Sequence, residues 1–317
     1  MKRWLTAVFL ALFPAIALPQ GFPERPVRII VPLTPGGSPD TIARTVAAGL
    51  QGVWTQPVVV ENRPGGSQNI GADLVAKSAP DGHTWLLAPD NVFSVNPHLG
   101  KPPFDPLTDF VPVTLLARIQ FLLVVHPSLP VNSVPELVAY AKSRPGELNH
   151  GSSGNGSPQH LGAAMLQLMT GTKMNHVPYK GAAPAVADLL PGRIQVWIGA
   201  ANTLLPHIKE GKLKLLASSA PARFPNLGDT PTIGESVPGY ALDPWLGLFV
   251  PAKTPGEVVS RIHGEVVKIV NAPDLKAKLA AQGIMIETNS PAEFARAIRE
   301  DNARWGKVIR EAGIKGE

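Results

Sequence analysis

The chain of 317 residues contains no cysteine. That absence excludes disulfides, a thiol nucleophile and a cysteine-linked lipid anchor. The hydrolase elbow G-x-S-x-G, the P-loop, the dinucleotide fingerprint G-x-G-x-x-G and the zinc motif H-E-x-x-H are all missing. The eight histidines, His83, His98, His126, His150, His160, His176, His207 and His263, do not pair at i,i+4 on a predicted helix, so no metal and no cofactor are expected. Ser152, His160 and Asp40 could meet across a cleft, but nothing in their spacing favours a triad. No block of five Lys or Arg occurs despite a net charge of +5, so no nucleic-acid partner is expected. After residue 18 no apolar run is long enough to span a bilayer.

Apolar residues make up 44% and charged residues 17%, the balance of a globular protein. The 34 prolines and 30 glycines predict many short elements joined by tight turns. Met1-Lys2-Arg3 is a positive start, Trp4 to Leu18 is uncharged and mostly apolar, and Ala15-Ile16-Ala17 offers a small-residue cleavage site. Residues 1–20 therefore read as a signal peptide, cut near Ala17 and no later than about Gly21, which sends the mature chain to the periplasm.

The remainder alternates strand and helix. Val27–Val31, Val58–Glu61 and Thr84–Ala88 are predicted strands, with helices over Ser38–Gln51 and Ile70–Lys77 between them. This rhythm predicts a mainly parallel sheet covered by helices. It breaks at Val111–His126, an extended apolar run too long for an ordinary strand, then restarts, and a second extended run follows at Tyr240–Val250. Two crossings bracketing a complete α/β unit predict two lobes: one of residues 22–120 plus 247–317, the other of 121–246, with a ligand cleft between them. Thr254-Pro-Gly-Glu257 and Ser290-Pro-Ala-Glu293 read as capping boxes that open two late helices.

Two loops share one design. Pro35-Gly36-Gly37-Ser38-Pro39-Asp40 follows the first strand, and Gly151-Ser152-Ser153-Gly154-Asn155-Gly156-Ser157-Pro158 follows a strand of the second lobe. Ser38 and Ser157 are candidate N-caps, and the prolines suit the first helical position. Each loop would aim free N–H groups and the positive end of a helix dipole outward, enough for an anion. Asp40, repelled by an anion, would orient donors. Loops at Pro64–Asn69, Ala88–Asn91 and Tyr179–Ala182 could line the same cleft; any of these loops could instead be a plain connection.

Several blocks, in order, resemble the Bug family, the Bordetella uptake gene products also described as tripartite tricarboxylate transporter receptors. They are Val31-Pro-Leu-Thr-Pro-Gly-Gly-Ser-Pro-Asp40, Val60-Glu-Asn-Arg-Pro-Gly-Gly66, Asn69-Ile-Gly-Ala72, Ser152-Ser-Gly-Asn-Gly-Ser157, His176-Val-Pro-Tyr-Lys-Gly181 and Asp229-Thr-Pro-Thr232. The resemblance implies a type II periplasmic-binding fold, two α/β lobes joined by two crossing strands, that closes on a small carboxylate or amide. It implies a non-enzymatic, single-copy receptor serving membrane transporter subunits or a sensor. The matching positions are Thr34, Gly36, Gly37 and Asp40 in the first loop, Ser152, Ser153, Gly154 and Ser157 in the second, and Tyr179 and Gly181. With Ser38, Asn69 and Asn91, these are the expected ligand residues. Leu33 departs from the usual aromatic residue and Asp90 from the usual small hydroxyl residue; Asp90 could meet a ligand amine or cap the next turn.

Overall fold

A computed structural model describes residues 21–311. The expected signal segment, residues 1–20, lies outside them. The chain runs β1 (Val27–Val31), α1 (Ser38–Gln51), β2 (Val58–Asn62), α2 (Asn69–Ala76), β3 (Thr84–Pro89), α3 (Asn91–Ser94), α4 (Asn96–Leu99) and β4 (Phe110–Ile119). It continues through β5 (Phe121–Val125), α5 (Val134–Ser143), β6 (Asn149–Ser152), α6 (Pro158–Thr170), β7 (Asn175–Pro178), α7 (Ala182–Leu189), β8 (Val196–Ala200), α8 (Ala201–Lys209), β9 (Lys214–Ser218) and α9 (Ile233–Ser236). It ends with β10 (Trp245–Pro251), α10 (Gly256–Val270), α11 (Pro273–Ala280), β11 (Ile284–Ile286) and α12 (Pro291–Glu311).

Among the described residues the strands form two sheets, in the orders β11-β4-β10-β3-β1-β2 and β7-β6-β8-β5-β9. The chain leaves the first sheet, builds the second, and returns, as the two extended runs predicted. The first run divides at Gln120, which separates β4 in one sheet from β5 in the other. Gln120 is buried, and its backbone N–H donates to Gly283 O at 2.8 Å while its carbonyl accepts from Ala201 N at 2.8 Å. Ile119 N donates to Pro244 O at 2.9 Å, so the two crossings run side by side.

Four expectations need correction. The sheets are mixed rather than mainly parallel: β1 pairs in parallel with β2 and β3, but β10 runs antiparallel to both β3 and β4, because it re-enters from the other lobe. The returning strand starts at Trp245, two residues before the expected boundary. Thr254 does not cap α10; its hydroxyl donates back to Pro251 O at 2.7 Å, whereas the Ser290–Glu293 box forms in both directions. Gly37, not Ser38, is the N-cap of α1.

The cores follow from pattern. Val27, Ile29 and Val31 pack with Ile42, Val46 and Leu50 of α1, the i, i+4, i+8 face of that helix. On the sheet's other side, Phe93 stacks on Phe249 with centroids 3.9 Å apart, and Phe294 of α12 packs beside them. The second lobe buries Trp197 and Leu204 with Ala185 and Leu189. Each sheet is thus covered by its own helices, and the strand ends that face the other lobe carry the loops.

Candidate functional site

Between the lobes lies a narrow cavity of about 50 Å³. Its first-lobe wall is Leu33, Thr34, Gly37, Ser38, Pro39, Gln68 and Pro89; its second-lobe wall is Ser153, Pro158, Gln159, Ala182 and Ala200. Ile119, Phe121, Pro244, Trp245 and Leu246 of the crossings close it from behind. No Lys, Arg, Asp, Glu or His is in this lining. Its positive character comes from helix ends instead. Gly37–Pro39 open α1, Pro158–Gln159 open α6, Ala182 opens α7 and Ala200 caps α8. First-turn N–H groups have no i−4 carbonyl, so these ends present donors and dipole charge together.

Four groups are buried in the lining without a protein partner: Thr34 Oγ1, both carboxamide atoms of Gln68, and Gln159 Oε1. Buried polar atoms are nearly always paired, so such a concentration in one cavity marks a place where a ligand supplies the partners.

The lobes touch around this cavity. Ser38 Oγ donates to Asn202 Oδ1 at 2.7 Å, and Thr34 N donates to Lys180 O at 3.4 Å. A Cβ at Gly181 would lie 2.0 Å from Thr34 Oγ1, so glycine is needed there for close approach of the two loops. Small-molecule pockets are about 300–1,000 Å³, so the lobes must part to admit a ligand to this one.

The expected residues divide into those on the cavity and those behind it. Thr34, Gly37, Ser38 and Ser153 line it. Asp40 sits behind, its Oδ2 accepting from Gly36 N at 3.1 Å and Arg44 Nε at 3.0 Å. Burial pushes this carboxyl up, but Arg44, Gly36 and Asn62 outweigh it and hold it below its usual range. Gly36 stands at φ 93°, a turn Gly permits freely. Ser157 caps α6, accepting from His160 N at 3.4 Å, and Gly154 takes the positive φ of that loop. Gly181 sets the approach to Thr34 rather than the lining.

Four others turn away from the cavity. Asn69 Oδ1 accepts from Asn96 Nδ2 at 2.9 Å. Asn91 is fully buried, its N–H donating to Asp90 Oδ1 at 2.8 Å. That bond makes Asp90 the cap of α3. The Tyr179 hydroxyl, expected to face the ligand, instead donates to Asp188 Oδ2 at 2.8 Å. Burial, then Asp188, pushes its phenol up to about 12.

Ser152 is fully buried and pairs with His176 Nε2 at 2.5 Å. His176 stacks on His160 at 4.0 Å and on His150 at 5.0 Å. Burial, followed by the nearby His160, pushes His176 down to about 3 and His150 to about 4. This cluster orders the second-lobe loop: His160 Nδ1 accepts from Gly156 N at 3.1 Å, and Ser152 Oγ accepts from Gly154 N at 3.1 Å. Asp40 is committed to Arg44 in the other lobe, so Ser152, His160 and Asp40 do not form a triad.

Gln68, Gln159 and Asn202 were not among the expected residues. Gln68 carried a signal, its place in a Gly-rich loop that could line the cleft; Gln159 lies inside a helical pattern and Asn202 just before one, and neither gave any.

The model of the tripartite tricarboxylate transporter family receptor matches residues 42–314. The chain belongs to this receptor family. BugT of Bordetella pertussis is 35% identical, over 99% of this chain and 99% of its own length. A solved R. palustris protein with adipate is 38% identical, covering 94% of this chain and 100% of its own, with a TM-score of 0.90. MatC from Rhodopseudomonas palustris, solved with malate, is 30% identical over 91% of this chain and 100% of its own, with a TM-score of 0.86. The two-lobed α/β fold is thus that of the family's solute-binding receptors, and among the described residues no helix is long and apolar enough to cross a membrane.

Proposed function

We propose that this receptor captures a small carboxylic acid in the periplasm, without turning it over, and presents it to membrane subunits of a tripartite tricarboxylate-type transporter. The observation that carries the reading is the lining of the interlobe cavity: the first turns of α1, α6 and α7 meet there with no charged side chain among them. Such a surface neutralises a carboxylate with N–H donors and dipoles, at a lower desolvation cost than a buried Arg. Adipate and malate in the solved relatives belong to the same chemical class. Ser152, held by His176, is buried off the lining, which supports binding without catalysis.

On this reading residues 1–20 are a cleaved export signal, and residues 22–120 with 247–317 move as one lobe against 121–246. Ser38, Thr34, Gly37 and Ser153 contact the ligand; Gly36, Asp40, Asn69, Asn91, Ser152, Gly154, Ser157, Tyr179 and Gly181 shape the loops around it. The chain acts as a single copy. The test is calorimetry of the mature protein against a panel of C4–C8 carboxylates, with mass spectrometry of material released from the cleft. Submillimolar binding of carboxylates but not of the matching alcohols is the expected result; no carboxylate binding would refute it.

A further inference from the structure

Gln68 occupies a backbone position that costs free energy. It stands at φ 77°, ψ −3°, directly after Ser67 at φ 50°, following Gly65 and Gly66, which are also at positive φ. Glycine would take this conformation without strain, and an ordinary L-residue does not. Gln68 is nonetheless held there, 2% exposed, with both Nε2 and Oε1 lacking a protein partner, in the wall of the cavity. The turn is clamped: Asn96 Nδ2 donates to Ser67 O at 2.7 Å. From the second lobe Gln159, 8% exposed, brings Oε1, likewise without a partner, to the same lining.

We infer that Gln68 and Gln159 set the receptor's specificity. They read, on the ligand body beyond the carboxylate, a neutral group that donates a hydrogen bond and also accepts one, as a primary carboxamide does. The inference rests on the carboxylate reading above and refines it. A donor count supports it. The two Oε1 atoms need an N–H or O–H, and Gln68 Nε2 needs an acceptor. A second carboxylate is an acceptor only: it can take the Gln68 Nε2 donor but supplies no donor to either carboxamide oxygen. An ammonium would satisfy the oxygens but bury a full charge in a lining without Asp or Glu. A methyl end would leave all three atoms unpaired. A carboxamide makes both kinds of bond and carries no charge.

The experiment is calorimetry with matched sets at four and six carbons: succinamic acid, succinate and butyrate; adipamic acid, adipate and hexanoate. The amide-acid of at least one set is expected to bind at least tenfold more tightly than both of its partners. Gln68→Gly is expected to fold with an equal or higher melting temperature, because the strain is relieved, yet to lose that preference to within about threefold. A residue of purely structural importance would instead lower the melting temperature and leave the preference intact, and that result would overturn the inference. So would a wild-type preference for the diacid, with the carboxylate reading untouched. Failure of all six acids to bind would overturn both.

Discussion

Ser38 Oγ donates to Asn202 Oδ1 at 2.7 Å, tying the first turn of α1 in one lobe to the first turn of α8 in the other. Ser38 is part of the cavity wall and Asn202 is not, so the pair separates closure from ligand contact. Asn202→Ala is expected to weaken ligand binding about fivefold, the worth of one neutral hydrogen bond of about 1 kcal/mol present only when the lobes meet. Stopped-flow measurement should place the change in the dissociation rate. Unchanged kinetics would mean that the bond contributes nothing to closure.

Gly181 offers a steric test of the same motion. A single methyl there would sit 2.0 Å from Thr34 Oγ1 and 3.1 Å from Thr34 N, both in the opposite lobe. Gly181→Ala is expected to cost about 1–3 kcal/mol of closure, a roughly fivefold to 150-fold loss of affinity, while far-ultraviolet circular dichroism stays unchanged. A variant that binds normally would show that the loops do not meet this closely when ligand is held.

Tyr179→Phe should leave affinity within about a factor of two, because the hydroxyl is spent on Asp188 and does not reach the ligand cavity. A large affinity loss, checked by calorimetry, would show that the ring turns inward on binding.

Stability should respond to pH through groups of opposite sign whose ranges overlap. Burial, reinforced by the charge of Asp301, pushes Asp90 up to about 8. The native state therefore keeps a proton that the unfolded chain releases near 3.8, and the stability this confers is lost as pH rises toward 8. Asp90→Asn should remove a decline in melting temperature that runs from about pH 4 to about 8. His150 and His176 act with the opposite sign. Held neutral down to about 4 and 3, they take up protons in the unfolded chain below 6.5, so their contribution is lost as pH falls below 6.5. His176→Gln should flatten the acid limb alone. Melting curves from pH 4 to 9 for both variants check the assignment; matching slopes to the parent protein would refute it.

Much of the architecture was legible along the chain because it depends on short-range pattern. The β-branched run Val27–Val31, the amphipathic spacing of α1 and the two extended runs each determine local structure through the faces they must bury. Ser157 and Ser290 behaved as caps for the same local reason, a hydroxyl within reach of the third N–H. Where a polar side chain had a competing partner, local logic failed. Ser38 gave its hydroxyl to Asn202, 164 residues away, and Thr254 turned back to Pro251. The pairing of Asp40 with Arg44 and Gly36 required the helix to be in place.

What the sequence by itself determined is the order of the longer elements, the crossing at two places and the Gly-rich loops at strand ends, while the short α3, α4, α9, α11 and β11 were not read from it. Tertiary structure alone decided which members of those loops face inward. Thr34, Ser153, Gln68 and Gln159 come together because β1 and β6 end, and α2 and α6 begin, at one cleft, while the Tyr179 hydroxyl, Asn69 Oδ1 and Asn91 Nδ2, equally polar and equally placed in loops or first turns, found partners within their own lobes. The physical reason is that a polar side chain goes to the nearest complementary group once the chain has folded, and that distance is set by packing between segments far apart in sequence.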